Sequence, residues 1–202
     1  GCQRITPDLL PLVDLDQYAI DQIVASVPGG AANVQDIYPL APLQEGILYH
    51  HLSATHGDPY LLQTQLAFDS FERLQAFTNA LQKVIDRHDI LRTGVVWQGL
   101  QQPLQVVWRE ALLPVTEAPV TETPVDQLPE RLDISQAPLI RMIYTRDPAS
   151  QQRIEATLLF HHLVLDHLAM DVVGQEIQAF LLAPSAQPGA AVPYRNYVAQ
   201  AR

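Results

Sequence analysis

The chain has 202 residues, 48% of them hydrophobic, and a formal charge of −10. That is enough apolar material for a substantial core in one domain, and the acidity argues against nucleic acid or an anionic membrane as partner. There is no apolar run of about eighteen residues to cross a membrane, and the opening residues lack a basic-then-apolar signal pattern. The single cysteine, Cys2, excludes an internal disulfide framework and suits a cytoplasmic setting.

Ile5 to Leu15 is apolar but interrupted by Pro7 and Pro11, so it reads as an extended linker. Asp16 is placed to cap a helix from Gln17 to Val27, which Pro28-Gly29-Gly30 ends. Pro42 suits the first turn of the next helix, along which Leu43, Ile47 and His50 or His51 recur. This helix runs into His50-His51-Leu52-Ser53-Ala54-Thr55-His56-Gly57-Asp58, which alone would be a helix end with solvated histidines and a Gly-Asp turn. Tyr60 to Phe68 alternates as a strand. Ser70 then caps a helix from Phe71 to about His88, with Leu74, Phe77, Leu81, Val84 and Ile85 as its buried stripe.

Arg87-His88-Asp89-Ile90-Leu91-Arg92-Thr93 taken alone is a solvated charge run. Gly94–Gln98 and Pro103–Trp108 form a hairpin about Gly99-Leu100-Gln101-Gln102. Leu113 to Pro129 is a solvated loop with one short strand, and Gln127 to Leu132 adds a helical turn. Pro138–Arg146 and Arg153–His162 are an antiparallel pair about Asp147-Pro148-Ala149-Ser150. A helix with Met170, Val173, Ile177, Phe180 and Leu181 on one side follows Asp166, and Ala183–Ala191 is a flexible Pro/Gly/Ala-rich stretch. Helices interleaved with largely antiparallel strands make this an α+β chain.

Chemistry concentrates at His161-His162-Leu163-Val164-Leu165-Asp166. Ile154, Ala156, Leu158, Phe160 and His162 share one strand face by their period of two, with His161 on the other. Asp166 stands where strand gives way to helix, a good N-cap position. An imidazole at the end of a rigid strand is suited to general-base work, because imidazole titrates close to neutral pH. A metal centre is not expected: no His pair sits at i, i+4 on a helix and one cysteine is available.

This stretch resembles the HHxxxDG motif of nonribosomal peptide synthetase condensation domains, with His167 in place of the Gly. These belong to the chloramphenicol acetyltransferase-like superfamily. Asp36 to Leu48 resembles the family's first motif. Arg87 to Thr93 resembles its second, RHExLRT, with Asp89 for Glu. Pro193 to Val198 resembles its fourth, YxDFxxW, with Asn196, Tyr197 and Gln200 at the changed positions. The segment from His50 to Asp58 resembles the signature of the dual condensation/epimerization branch. Ile5 to Val13 is similar to the segment that joins an upstream carrier domain to such domains.

The resemblance spans nearly the whole chain. It implies residues 1–30 as linker and short helix after a carrier domain, and 31–202 as the N-terminal lobe of a condensation domain. Both ends look cut, so the chain reads as a piece of a longer polypeptide that is inactive without its C-terminal lobe.

The implied reaction is peptide-bond formation between carrier-bound thioesters, with epimerization of the donor residue. His162 is the principal catalytic residue beside His161, and His50 and His51 assist epimerization. Asp166 pairs with Arg92 or Arg87 to hold the loop, and Gly57 and Asp58, at the end of the dual-branch signature, give structural support. Nothing is bound directly as cofactor: phosphopantetheine arms of the donor and acceptor carrier domains deliver the substrates. The C-terminal lobe and an adenylation domain are further partners, with no nucleic acid and no membrane. Three other readings are a plain condensation domain without epimerization, an inert carrier-docking module and another acyltransferase class. The His161-to-Asp166 spacing also resembles that of glycerolipid acyltransferases, but no hydrophobic anchor accompanies it.

Overall fold

The computed structural model describes residues 3–120, 128–147, 149, 152–183 and 193–201. Two sheets organise them. In the larger, β2 (Leu61–Phe68), β7 (Ile154–His161), β6 (Ile140–Arg146) and β5 (Val115–Glu117) lie side by side in that order. β7 is antiparallel to both neighbours, and only β5 and β6 run parallel. In the smaller sheet β4 (Leu104–Trp108) lies between β1 (Val34–Pro39) and β3 (Thr93–Val96), all antiparallel. The architecture is the α+β mixture expected from the sequence.

β7 is buried at nearly every position because it is paired on both edges and covered on both faces. Ile154, Ala156, Leu158 and Phe160 point into the main core. There they meet Leu74, Leu81, Val84 and Ile85 of α3 (Phe71–Arg87) and Val173, Ile177 and Phe180 of α4 (His167–Leu182). Both helices begin at the caps read from the sequence. Ser70 Oγ accepts from Arg73 N at 3.3 Å, and the Asp166 carboxylate accepts from Ala169 N at 2.7 Å.

α1 (Gln17–Ala25) is likewise capped by Asp16, which accepts from Ala19 N. The segment before it does not stand off as a linker. Ile5 and Leu10 are buried together with Ile20, Ile23, Val27 and the β1–β4 residues Val34, Ile37, Leu104 and Val106, with a single 3₁₀ turn at Pro7–Leu9. Burying these side chains removes apolar surface from water, which outweighs the lack of a regular backbone pattern.

Other expectations are corrected in detail. α2 (Pro42–Ser53) buries Gln44, Ile47, Leu48 and His51, a stripe at i, i+3, i+4 and i+7, while Leu43 is exposed. β1 is a strand that the sequence does not predict. Its register is interrupted between Val34 and Asp36, and it ends in a proline, so it carries no clean alternation. Residues 128–132 form no helical turn. Gln127, Pro148 and Ser150 of the Asp147–Ser150 turn, and residues 184–192 of the Pro/Gly/Ala-rich stretch lie outside the described residues.

The two sheets and α2 meet through a buried amide pair. Gln105 Nε2 donates to Pro39 O and Gln44 Oε1, and Gln44 Nε2 donates to Leu163 O at 3.1 Å. Gln44 Oε1 also accepts from Ala41 N at the start of α2. The turn just beyond His162 is thus tied to both the smaller sheet and α2.

Gly94 permits a close approach of β3 to the chain at 134–135. A Cβ there would stand 2.7 Å from Ser135 O, and the neighbouring Val95 N donates to Ile134 O at 2.7 Å. Backbone on both sides leaves little room to relax. Gly94→Ala should therefore lower stability by about 1–3 kcal/mol, as overpacking does, measured by denaturant unfolding of the complete protein.

Candidate functional site

β7 delivers His162 one residue past its own end. The strand pairing continues there, since His162 N donates to Tyr60 O at 2.9 Å beyond the Leu61–His161 pair. The two rings follow: Tyr60 and His162 stack with centroids 6.0 Å apart and planes 4° from parallel. His162 Nδ1 lies 2.8 Å from Leu165 O. A carbonyl can only accept, so Nδ1 carries the proton and Nε2 of the neutral ring carries the lone pair. The half-buried ring therefore has a defined tautomer and orientation, which a general base or a hydrogen-bonding group for an amine requires.

His161 turns to the opposite face, where it is fully buried. Its Nε2 lies 2.7 Å from Asp58 Oδ2, and its Nδ1 accepts from Leu163 N at 3.1 Å. The same Asp58 oxygen lies 2.5 Å from Nδ1 of the buried His51, and the other accepts from Tyr60 N at 3.0 Å. His51 Nε2 faces Arg131 Nη2 at 3.1 Å. Arg131 also donates to His51 O at 2.7 Å and to Gly57 O at 2.8 Å.

Every ring nitrogen in this group has a complementary partner if both imidazoles are neutral, Asp58 is ionised and Arg131 supplies the balancing charge. Burial pushes the Asp58 carboxyl up, but hydrogen bonds from His51, Tyr60 N and His161 outweigh it and hold the group below the usual carboxylate value. Burial holds His161 below the usual histidine value against the pull of Asp58.

The donor atoms of His51, Asp58 and His161 lie within 4.8 Å of one another, a spacing that a metal could use. Ligation would require both imidazoles to surrender the N–H that serves Asp58, and would set a cation beside the Arg131 guanidinium. The geometry is that of a closed hydrogen-bonded network. Sequence reading did not find it because its partners are 103 and 80 residues apart. Arg131 sits in no recognised motif.

His50 is exposed, on the outer side of α2, and its ring lies 5.8 Å from that of Tyr60. The two histidine pairs are therefore divided alike: His51 and His161 inward on Asp58, His50 and His162 against Tyr60. Gly57, at φ 61°, makes the turn that returns the chain from α2 to Asp58.

Among the described residues the expected pairing of Asp166 with Arg92 or Arg87 does not form. Asp166 is exposed and caps α4. Arg92 is buried, but it donates to Ile85 O, Gln35 Oε1, Trp108 O and Arg109 O, bridging α3 to the smaller sheet. Arg87 pairs with Glu176 of α4, which His88 Nε2 also meets at 2.5 Å. These contacts make both arginines structural ties around the site. Asp89 accepts from Tyr194 N at the start of α5 (Tyr194–Ala201), and Arg195 pairs with Asp36 at 3.0 Å. Three of the sequence motifs are thereby held together.

Residues 34–202 match the condensation-domain family. The chain is 48% identical over 212 residues to malpinin synthetase of Mortierella alpina, covering 100% of this chain and 3% of that protein. It is 44% identical over 209 residues to malpibaldin synthetase of the same organism, covering 98% of this chain and 4% of that protein. The chain thus spans a few per cent of the length of these relatives. Its fold is similar to a nonribosomal peptide synthetase cyclization-docking bidomain, EpoB of Sorangium cellulosum, with a TM-score of 0.62 at 18% identity over 81% of this chain and 34% of that one.

Asp58→Ala orphans the N–H groups of His51 and His161 in the interior, at about 1–3 kcal/mol for each, read by denaturant unfolding at pH 7. Asp166→Ala, which removes only an exposed cap, should cost about 1 kcal/mol. The pH dependence follows from the same groups. His161 is held low, so the unfolded chain takes up the extra proton first. Its contribution is full above about 6.5 and declines as the pH falls below that, by up to about 1.4 kcal/mol per unit. Asp58 is also held low, so its contribution persists to lower pH and is lost only as the pH falls through its depressed value. Stability measured from pH 8 to 3 should fall in that order.

Proposed function

The chain belongs to the condensation-domain family of nonribosomal peptide synthetases, and on that premise we propose that it forms the N-terminal lobe of a domain joining two carrier-bound thioester substrates through a peptide bond. The observation that carries this reading is the set of contacts on His162. Its Nδ1–H is taken by Leu165 O and its ring is stacked on Tyr60, which fixes the tautomer and the plane of the imidazole. The acceptor's amine attacks the donor's thioester carbonyl. The C–N bond forms as the C–S bond breaks, and the amine's surplus proton passes to the departing sulfur of the donor's phosphopantetheine arm, either through Nε2 or with Nε2 only accepting a hydrogen bond from the amine, so that the arm leaves as the thiol. His161 and Asp166 act at one remove, the first by anchoring the strand end to Asp58 and the second by starting α4.

In the same reading the substrates arrive on phosphopantetheine arms of an upstream donor and a downstream acceptor carrier domain. The C-terminal lobe completes the site and an adenylation domain loads the acceptor carrier. His162→Ala in the complete synthetase should lower dipeptide formation by about two to four orders of magnitude, the range for losing a general base. Unchanged turnover in a single-condensation assay with loaded carriers would refute the assignment.

Epimerization of the donor residue before condensation is the finer part of the proposal. It is supported by the segment His50 to Asp58 and by the position of His50 against the same tyrosine as His162. Removing a proton from a thioester α-carbon needs a base held against that carbon. His50 is placed for this, whereas His51 is committed to Asp58 and Arg131. His50→Ala should abolish exchange of the donor α-proton with solvent while leaving condensation of a donor supplied as the D form. His51→Ala should instead lower stability and both activities together.

A further inference from the structure

The side of the larger sheet that carries His162 continues into a cavity beneath α4. Its volume is about 370 Å³, enough for an organic side chain. Leu66 of β2 and Phe160 of β7 face Met170 and Gly174 of α4 across it, with Leu165 at one end. Among the described residues no ionisable side chain lines it, and its two polar ones, Thr64 and Gln178, are both exposed. The interior is therefore apolar.

Two residues join this cavity to the site. Phe160 stands two positions before His162, roughly 7 Å along the strand, and packs in the same core as Tyr60, on which His162 stacks. Leu165 meets His162 Nδ1 with its carbonyl at 2.8 Å and lines the cavity as well. None of the described lining belongs to α2, the helix that carries His50. Gly174 stands out in the wall. Its helix neighbours Met170 and Ile177 fill space in the core, whereas a Cβ on Gly174 would meet no atom of the surrounding structure within 4 Å. Glycine is a poor residue for a helix interior, and here it leaves a side chain out where the cavity lies against the helix.

We propose that this cavity receives the apolar side chain of the acceptor residue, and that Gly174 sets how large that side chain can be. This rests on the assignment of His162 under the proposed function. With the acceptor's amine at His162, its α-carbon is one bond further on, and the side chain borne there reaches Phe160 and Leu165 first. The donor's α-carbon belongs at His50, on a helix the cavity does not touch. An apolar side chain gains by leaving water in such a site, whereas a charged one would be desolvated without a partner.

Gly174→Leu in the complete synthetase tests this, with acceptor carriers chemically loaded with alanine or with phenylalanine and one donor throughout. The added side chain enters open space on a helix that favours it, so folding is retained, which a melting curve checks. The ratio of kcat/KM for the phenylalanyl to the alanyl acceptor should fall about tenfold or more, as pocket size commonly discriminates. The ratio for a large against a small apolar donor should stay unchanged. If Gly174→Leu does not fold, Gly174→Ala is read in the same way. An unchanged acceptor ratio in the folded variant overturns the proposal, as does an equal loss with both acceptors. A change in the donor ratio in place of the acceptor ratio also overturns it. These outcomes concern the cavity alone, whereas an active His162→Ala measured alongside removes the functional reading beneath it.

Discussion

A carboxylate buried between two imidazoles is the constraint on which the site depends. An ionised Asp58 with no solvent contact would be costly unless its oxygens were filled by hydrogen bonds. They are filled by His51 from α2, by His161 from β7 and by the backbone N–H of Tyr60 just before β2. One side chain thereby fixes a helix end, a strand end and a strand start at a single point. The consequence reaches the neighbouring residues: with His51 and His161 drawn inward, His50 and His162 are left on the side of Tyr60.

Polar groups with complete hydrogen bonding recur around this centre and take the place of the arginine–aspartate pair that the motifs imply. Gln44 and Gln105 tie the turn after His162 to α2 and the smaller sheet. Arg92 spends its guanidinium on carbonyls of α3 and β4, and Asp89 starts α5. Arg131 offsets the charge of Asp58 from a segment between β5 and β6. The loop from His162 to Asp166 is therefore held by its own turn bonds, by Gln44 and by the cap that Asp166 places on α4, with no arginine paired to Asp166 among the described residues. Such a frame suits the proposed chemistry, which asks for an imidazole held in one tautomer and one orientation.

Much of the framework was legible because it depends on local periodicity. The alternation from Ile154 to Phe160, the stripe from Leu74 to Ile85 and the caps at Asp16, Ser70 and Asp166 each express physics within one element. Where the fold departed, the cause was non-local. Gln44 replaces Leu43 on the buried face of α2 because a second buried amide, Gln105, receives it. β1 lacks a clean pattern because a register shift interrupts it. The histidine pairs were visible as motifs, but their division into inner and outer members was not. It follows from Asp58, which meets a histidine on β7, and from Arg131, whose partners carry no spacing signature.

The claim that Asp58 orients His162 through His161 is tested most directly by a double-mutant cycle read in dipeptide formation by the complete synthetase. Asp58→Asn keeps the shape of the side chain but cannot serve both imidazole N–H groups with an ionised oxygen. It should slow condensation when His162 is present and have no further effect when His162 is already alanine. A full, additive loss in the His162→Ala background would contradict the account, since Asp58 would then be acting on catalysis by a route that does not pass through His162.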